Sequence, residues 1–449
     1  MNSVILDLGR IVGDRNAIAP TTNSPYLFDA TEARGLHGHA DAVVCPGSAE
    51  EVAGVVAWSY ERGIAIVPRG GGTGFAGGAV PSGGVVLALE RLHRVRSFDP
   101  LLWRMEVEAG ARTLDIRRTA RASGLLFPPD PGAAEQSQIG GNIATNAGGP
   151  HAFKYGVTGA WVTGLEVVVA PGEIVSFGGP IRKDVSTLDL KSLFIGSEGT
   201  LGIITAAWLR LAPAPEVALP IAAFYADTKT GCAAIEAMYG NGLVAAALEY
   251  LDAGTLALAG ATFPGGVPDG AGFLVIAEAD GTAEEARRLC DEMTNALAGD
   301  AIRIVHPEPQ NLWRWRDGVS IAVTAALGGK VSEDIVVPVD RLADAIDATV
   351  AIGVRHGLQA VSWGHGGDGN LHSTFLLSRH DSSALEKAER AADDLFTLAI
   401  ELGGSISGEH GLGVVKRGHA GWNPRVTALH TAIKQALDPK GLFNPGKKL

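Results

Sequence analysis

The pattern of apolar and polar positions predicts helices and strands that alternate along the chain, with glycine-rich loops between them. Residues 49–62 have the apolar spacing of a helix that ends at Gly63. Ser48 and Glu51 predict a capping box at its start. Residues 383–402 show the same spacing over a longer stretch, and Gly403 is expected to stop that helix.

Short apolar or alternating runs predict strands at 64–68, 84–92 and 103–110, and a strand–turn–strand unit at 161–175. A further helix is predicted near 113–123. This mixture indicates an α+β fold. Residues 1–40 show few periodic apolar positions and are predicted to be irregular, and residues 406–449 are predicted to consist of loop motifs.

Length and composition narrow the class of protein. A chain of 449 residues exceeds one compact core, so two or three domains are expected. Its 37 basic and 49 acidic residues give a net charge of −12, which argues against nucleic acid as a partner. The three cysteines form no CxxC motif, which excludes a cysteine-ligated iron–sulfur cluster and favours a reducing compartment. No signal-peptide pattern or apolar run of 18 residues is present, so we expect a cytoplasmic protein without a membrane span.

Prolines mark the main domain boundary. Pro213, Pro215 and Pro220 fall where the glycine-rich loops become rarer. We predict an N-terminal segment at 1–38, a cofactor-binding domain at 39–214, a substrate or cap domain at 215–405, and a C-terminal segment at 406–449 that returns to the cofactor.

Many of the 60 glycines cluster in three blocks, at 69–78, 138–149 and 194–205. The first contains Gly72-x-Gly74-x-x-Gly77, which matches the dinucleotide fingerprint. That fingerprint requires a helix directly after the loop, whereas Pro81 and a predicted strand follow here, so the Rossmann interpretation fails. Such a loop is either a structural turn or a nest of backbone N–H groups for an anion, and three blocks together favour binding.

These blocks resemble the three FAD-binding stretches of the vanillyl-alcohol-oxidase-type (PCMH-type) flavoproteins. Within that family the chain is similar to the branch of the glycolate oxidase flavin subunit and the D-lactate and D-2-hydroxyglutarate dehydrogenases. The resemblance covers residues 40–449. It implies a PCMH-type FAD-binding domain of two α/β subdomains and an α+β cap domain with an antiparallel sheet.

The resemblance also implies a set of FAD contacts. Thr73 follows the glycine run, where some relatives carry a histidine that binds the flavin covalently, so non-covalent FAD is expected. The implied cofactor-binding residues are Arg69, Gly70, Gly71, Gly72, Thr73, Gly74, Pro129, Asp130, Gly140, Gly141, Asn142, Thr145, Asn146, Gly148, Glu198, Gly202, Ile203 and Asn444.

Two further glycine-rich motifs predict a metal site. Residues 364–372 (GHGGDGNLH) predict a hairpin that turns at Asp368-Gly369, with His365 and His372 facing each other across the turn. Residues 408–413 (GEHGLG) contribute Glu409 in a second loop. Two imidazoles and one carboxylate suit Zn²⁺, and the same set can bind Fe²⁺ or Mn²⁺. The alternative is that these histidines only form hydrogen bonds within a turn.

In the family that the chain resembles, His365, His372 and Glu409 match the metal ligands, and His410 matches a histidine near the substrate and the flavin. An extended Glu409-His410 pair would project its side chains to opposite sides. His410 is therefore a candidate base for the substrate hydroxyl, with metal-bound hydroxide as the alternative. Asn370, within the hairpin motif, is a further candidate catalytic residue.

The substrate carboxylate needs a cation. By resemblance Arg316 is that residue, since a guanidinium binds a carboxylate in a bidentate way; the alternative is an exposed arginine on an ordinary helix. Where D-2-hydroxyglutarate dehydrogenases place a lysine for a second carboxylate, this chain has Ser332, with Lys330 two residues away. This favours lactate or glycolate without excluding hydroxyglutarate.

The sequence thus predicts an enzyme that oxidises a small anionic D-2-hydroxy acid to the 2-oxo acid with FAD and a divalent metal. Electrons would pass to a separate protein or a quinone, and the chain is compatible with a homodimer. Two alternatives remain: a non-catalytic FAD-binding subunit of a hydroxy-acid oxidase complex, and a non-redox relative, the flavin enzyme of ether-lipid synthesis.

Overall fold

The structure is a computed structural model that describes residues 3–31, 34–378 and 380–449. The chain divides into two compact units. The first contains the residues up to Gly148, then Val157–Pro213 and Glu409–Leu449; the second contains Gly149–Gly156 and Ala214–Gly408. None of the described helices has both the length and the hydropathy needed to cross a membrane.

The described residues form both helices and largely antiparallel sheets, which confirms the α+β class. The helices are α1 (Ser3–Val12), α2 (Ala49–Arg62), α3 (Thr113–Arg121), α4 (Ile139–Thr145), α5 (Ala152–Tyr155), α6 (Lys191–Phe194), α7 (Thr228–Gly240), α8 (Ala253–Ala259), α9 (Ala283–Leu297), α10 (Pro309–Leu327), α11 (Leu342–Arg355), α12 (Ala384–Glu401) and α13 (Pro424–Leu437). The strands are β1 (Ala17–Ile18), β2 (Ala42–Val44), β3 (Ile66–Arg69), β4 (Val85–Ala88), β5 (Val95–Asp99), β6 (Arg104–Glu108), β7 (Leu125–Leu126), β8 (Val162–Val169), β9 (Glu173–Gly178), β10 (Ile203–Arg210), β11 (Ala212–Pro213), β12 (Val217–Tyr225), β13 (Ala247–Asp252), β14 (Phe273–Gly281), β15 (Arg303–Val305), β16 (Lys330–Val336), β17 (Ala360–His365) and β18 (Asn370–Leu376).

Three helices correct the sequence predictions. Helix α1 lies in the stretch predicted to be irregular, and it buries residues 5, 8, 9 and 12 on one face. Helix α13 lies in the C-terminal stretch predicted to be loops; Asn423 caps it and Pro424 occupies its first turn. Helix α4 forms within the second glycine block, although that block contains Gly140 and Gly141.

The capping box predicted for α2 forms only in part. The Ser48 hydroxyl accepts the N–H of Glu51, as expected. The Glu51 carboxylate instead accepts the N–H of Gly47 at 2.7 Å and also contacts Arg91. The carboxylate therefore accepts from Gly47, the residue before the N-cap, whereas a capping box requires it to accept the N–H of the N-cap residue Ser48.

The first unit contains two larger sheets. Strands β1-β2-β4-β3 form a mixed sheet in which β2, β4 and β3 run parallel. Strands β5-β6-β10-β8-β9 form an antiparallel sheet. Helix α2 packs against β8 and β9 through a face that includes fully buried valines. The first and third glycine blocks belong to this unit, as does the second block up to Gly148.

The second unit is built on one seven-stranded antiparallel sheet of order β15-β12-β14-β13-β17-β18-β16. Paired residues in adjacent strands share a face, and side chains alternate along each strand. The registers therefore place Glu249, Trp363, His365, His372 and Asp334 on the same face of this sheet.

Helix α10 covers this face. Its apolar residues, including Leu312, Trp315 and Val319, pack with Leu251 and Trp363 in one buried cluster. Further along β13, β14, β16, β17 and β18 the face becomes polar, since each of these strands places an acid or a histidine there instead of an apolar residue. The sheet therefore provides an apolar core and, beside it, a buried polar region.

Candidate functional site

The hairpin β17–β18 positions both predicted histidine ligands. His365 pairs with Asn370, and His372 pairs with Trp363, so the two histidines are diagonal neighbours that approach each other across the hairpin, as predicted. Their ring centroids lie 5.2 Å apart at 86°. Both residues are buried, with 6% and 9% of their surface exposed. The connecting turn needs Gly369, whose φ of 73° is unfavourable for other residues.

Ligand atoms of His365, His372 and Glu409 lie within 4.8 Å of one another. Glu409 follows directly after Gly408, the last residue of the second unit. A Cβ on Gly148 would lie 2.7 Å from Oε2 of Glu409, so this glycine of the second block makes room for the carboxylate. Two imidazoles and one carboxylate at this separation are a donor set that fits a catalytic divalent ion.

Glu249, on β13, is a functional candidate that the sequence reasoning missed. Its carboxylate accepts Nδ1–H of His365 at 2.5 Å on Oε1 and an N–H of Arg316 at 2.5 Å on Oε2. Burial raises its pKa, but the charges and hydrogen bonds of His365 and Arg316 outweigh that effect and lower the pKa to about 2. Glu249 is therefore ionised. In the neutral form of His365, whose Nδ1–H this carboxylate accepts, Nε2 carries the lone pair that a metal would use.

Arg316 is buried on α10, with 7% of its surface exposed, so the alternative of an exposed helical arginine is excluded. Nε of Arg316 is buried and has no hydrogen-bond partner among the described residues. The ion pair with Glu249 thus leaves one donor of the guanidinium unused. This is compatible with the predicted carboxylate-binding role, which stays a prediction.

Asp334, on β16, is the second missed residue. Its carboxylate accepts the Nδ2–H of Asn370 at 2.5 Å, the Ser407 hydroxyl at 2.9 Å and the N–H of Gly408. Asn370, predicted as catalytic, also donates to the carbonyl of Ile335. These contacts hold the hairpin motif and Gly408, the residue before Glu409, in fixed relative positions. In the structure Asn370 therefore supports the hairpin through hydrogen bonds.

The Glu409-His410 pair differs from the extended conformation that was predicted. The backbone bends at both residues, and Nε2 of His410 lies 3.8 Å from Oε1 of Glu409, so the side chains do not project to opposite sides. The His410 ring lies 4.8 Å from the ring of Phe75, which directly follows the first glycine run. His410 therefore lies beside a predicted cofactor loop.

The glycines of the first two blocks serve two purposes. A Cβ on Gly71 would lie 2.3 Å from the carbonyl oxygen of Gln136, so close packing requires this glycine, and Gly72 has a φ of 66°, which favours glycine. Among the residues that the structure describes, none would lie within 4 Å of a Cβ on Gly74 or Gly141. These two positions border open space, as a loop that wraps a cofactor requires.

Three buried polar atoms that have no hydrogen-bond partner in the described part of the chain lie within or beside the predicted FAD-binding stretches. They are Oε1 of Gln138, Oγ of Ser197 and Oδ1 of Asn444. Buried polar atoms are normally paired, so three orphaned atoms in these segments fit a bound ligand rich in polar groups. The residues of the first unit therefore fit FAD.

Other predicted FAD residues have protein partners. Asn142 donates to Thr113 at 2.6 Å, the Oδ1 of Asn146 accepts the N–H of Gly159, and the Thr145 hydroxyl donates to the carbonyl of Gly141. Arg69 donates to the carbonyl of Phe28 at 2.7 Å. These contacts shape the loops, and contact of these residues with FAD stays a prediction.

Glu198 holds the C-terminal loop. Its carboxylate accepts the N–H groups of Leu412 at 2.8 Å and Gly413 at 2.7 Å. Asn444 donates to the carbonyl of Glu198 at 2.7 Å. The third block and the loop that carries His410 are thereby joined within the first unit. The remaining residues predicted to contact FAD lie as follows: Gly70, Thr73, Pro129 and Asp130 are in or beside loop segments, Gly140 is in the first turn of α4, and Gly202 precedes the buried Ile203 on β10.

The Ser332 side chain, at the position of the relatives' second-carboxylate lysine, shares a hydrogen bond of 2.7 Å with Thr374. Lys330 donates to the carbonyl of Ser320 at 2.9 Å and lies 5.2 Å from the centre of the Trp363 ring. Both side chains are on the face that carries the histidines. Lys330 is therefore engaged with α10.

Two family models match the chain. The model described as FAD linked oxidases, C-terminal domain, matches residues 214–448, and the model described as FAD binding domain matches residues 40–178.

Several curated relatives match over nearly the whole chain. Glycolate oxidase subunit GlcD of Bacillus subtilis (strain 168) is 34% identical over 430 residues, which cover 94% of this chain and 91% of the relative. D-lactate dehydrogenase of Anaerostipes hadrus is 32% identical over 97% of this chain and 95% of the relative. D-2-hydroxyglutarate dehydrogenase of Xanthomonas citri pv. viticola is 35% identical over 90% of this chain and 88% of the relative.

Solved structures share the fold. p-Cresol methylhydroxylase with substrate bound superposes with a TM-score of 0.82 at 19% identity, covering 100% of this chain and 96% of that protein. An alkyldihydroxyacetonephosphate synthase superposes with a TM-score of 0.80 at 17% identity, covering 99% and 85%.

Proposed function

Because the chain belongs to the PCMH-type family of FAD-linked oxidases, we propose that it oxidises a small D-2-hydroxy acid to the 2-oxo acid with the help of a divalent metal. It is an FAD-binding oxidoreductase that acts on a CH–OH group, as its relatives are. The observation that carries the finer proposal is the grouping of His365, His372 and Glu409 within 4.8 Å.

The loops of the first unit would hold FAD, which would supply the acceptor for the hydride equivalent from the substrate carbon. His365, His372 and Glu409 would hold a divalent ion, which would supply polarisation of the substrate hydroxyl; zinc, manganese and iron all suit this donor set. His410 takes the hydroxyl proton, since a neutral imidazole is a suitable base near physiological pH. Arg316 binds the substrate carboxylate through the donor that Glu249 does not use.

The number of carboxylates on the substrate is inferred from whether a second cation, besides Arg316, is available to bind one. Ser332 is bound to Thr374, and Lys330 is bound to α10, so neither offers an uncommitted cation for a second carboxylate. We therefore propose a 2-hydroxy monocarboxylate such as lactate or glycolate as the preferred substrate, ahead of the dicarboxylate 2-hydroxyglutarate. Electrons then pass to a separate acceptor, a protein or a quinone.

The test is anaerobic reduction of the bound flavin. D-Lactate, L-lactate, glycolate and D-2-hydroxyglutarate are mixed in turn with the purified protein, and flavin absorbance and bound metal are measured. We expect bleaching by a D-acid or glycolate, and loss of both bleaching and bound metal in His365→Ala. His356→Ala is the matched control, because that histidine contacts Asp394 and lies outside the cluster. Full bleaching in metal-free protein, or none with any of the acids, contradicts the proposal.

A further inference from the structure

One carboxylate in the second unit contacts both a predicted metal ligand and the predicted substrate-binding cation. The two oxygens of Glu249 are divided between them: Oε1 accepts from His365 and Oε2 accepts from Arg316, each at 2.5 Å. His365 is on β17 and Arg316 on α10, so Glu249 links a strand and a helix that are far apart in the sequence.

The backbone of Glu249 is fixed on both sides. Strand β13 lies between β14 and β17, and Glu249 pairs with Ile276 of β14. The side chain is fully buried, with 0% of its surface exposed. A side chain held in this way has little freedom, so it can fix the orientation of the groups that donate to it.

Packing of the sheet does not require a charged side chain at position 249. The neighbours on the same face, Ile276 and Leu251, are fully buried apolar residues of the core cluster. Replacing a buried ion pair by apolar residues is often neutral or stabilising, so a carboxylate here is better explained by what it orients.

We propose that Glu249 is a positioning residue that couples the metal ligand His365 to the substrate-binding Arg316. Through Oε1 it fixes the imidazole ring so that Nε2 points to the ion, and through Oε2 it fixes the guanidinium so that its unused donor is available to the substrate carboxylate. The inference rests on the proposed function, because it assigns the metal to His365 and the carboxylate to Arg316.

The experiment compares Glu249→Gln with Glu278→Gln in the FAD-loaded protein. Glu278 is the matched control: it is also a buried carboxylate of this sheet and accepts hydrogen bonds from Trp313 and His151, outside the histidine cluster. After removal of bound metal, Zn²⁺ is titrated into each protein by calorimetry. We expect Glu249→Gln to weaken Zn²⁺ binding by about 10- to 100-fold, and Glu278→Gln to change it by less than about threefold.

A second measurement tests the link to Arg316. At saturating Zn²⁺, Glu249→Gln should raise KM for the hydroxy acid that reduces the flavin by about tenfold and lower kcat less, since the orientation of the substrate-binding cation is lost. A residue needed only for folding would change flavin content and thermal unfolding without this split between KM and kcat.

A further variant covers the case in which Glu249→Gln does not fold. Glu249→Leu combined with Arg316→Leu removes both charges and keeps the volume apolar, so we expect it to fold and still bind Zn²⁺ weakly. Zn²⁺ affinity equal to that of the wild type in either folded variant would overturn the inference and leave the proposed function intact. A wild-type protein that binds no Zn²⁺, or whose flavin no hydroxy acid reduces, would instead overturn the proposed function.

Discussion

At the scale of single residues, the polar face of the second sheet contains charges whose burial is costly, and Lys330 is one of them. Burial lowers its pKa from the ordinary value of 10.5 to about 8. Its ammonium group has the Ser320 carbonyl and the Trp363 ring as partners. These partners only partly replace water, so the charged form is less stable in the folded protein than in the unfolded chain.

The pH dependence of stability follows from this shift. Between about pH 8 and 10.5 the unfolded chain keeps the proton on this lysine while the folded protein has released it. Stability rises with pH wherever the unfolded state binds more protons, so the contribution of Lys330 should rise through this window, by about 2 kcal/mol. Below pH 8 the full penalty remains, and Lys330→Met should relieve it.

Urea unfolding of the wild type and Lys330→Met at several pH values checks this expectation. The difference in free energy of unfolding should favour Lys330→Met near neutral pH and shrink as the pH rises to about 10. Lys229→Met, an exposed lysine on α7, controls for the loss of a surface amine. A difference between the wild type and Lys330→Met that does not change with pH would show that the charge of Lys330 is not penalised by burial.

At the scale of elements, the turn of the histidine hairpin depends on one glycine. Gly369 has a φ of 73°, and a Cβ there would lie 2.0 Å from the carbonyl oxygen of Val337. Gly357, after α11, has a similar φ of 69°, but a Cβ there would meet nothing within 4 Å. The two positions therefore separate the cost of the backbone conformation from the cost of the clash.

We expect Gly357→Ala to lower the free energy of unfolding by about 1 kcal/mol, which is the ordinary cost of a left-handed conformation. Gly369→Ala should cost about 3 kcal/mol or more, because the hairpin must move away from β16, and bound metal should fall with it. Thermal unfolding and metal analysis of both variants provide the comparison. Equal costs for the two alanines would mean that the turn adapts and does not define the spacing of His365 and His372.

The hairpin and the long helix were predictable because the signals for both are local. Glycines mark the turn of β17–β18, and α12 has continuous amphipathic spacing that ends at Gly403. Helix α4 was missed because two glycines within seven residues lower helix propensity, while tertiary contacts such as the hydrogen bond from Gly140 N–H to the carbonyl of Ala109 compensate. Helix α1 was missed although its buried positions do have helical spacing.

The supporting residues of the site could not be predicted in the same way. Glu249 lies 116 residues before His365, and only the pairing of β13 with β17 brings them together. Asp334 likewise binds Ser407, which is 73 residues away. The one local signal was an acid within a run of apolar strand residues at 247–252, where a charge is costly unless it is paired.

At the scale of the whole molecule, the candidate sites for the cofactor and the metal are drawn largely from different units. The orphaned polar atoms of Gln138, Ser197 and Asn444 belong to the first unit. His365 and His372 belong to the second unit. Each unit also has its own sheets, which do not depend on a metal ion for their hydrogen bonds.

Removing the metal with a chelator should therefore abolish turnover while FAD stays bound. Without an ion to polarise the substrate hydroxyl, several kcal/mol of transition-state stabilisation are lost, so we expect turnover to fall by at least about 100-fold. The ratio of flavin to protein after gel filtration should remain that of the untreated protein, and Zn²⁺ or Mn²⁺ should restore turnover.

Gly148 provides the most stringent test of whether the metal and FAD bind independently. Gly148 belongs to the second glycine block, and a Cβ there would lie 2.7 Å from the Glu409 carboxylate. If Glu409 moves when the metal is lost, it would therefore contact a predicted FAD-binding segment directly. Gly148→Ala should therefore weaken metal binding while the flavin content stays closer to that of the wild type, since the other two glycine blocks predicted to bind FAD are untouched. If the chelator instead releases flavin and metal in parallel, the two ligands depend on one shared arrangement around Gly148, and the independent-site interpretation is wrong.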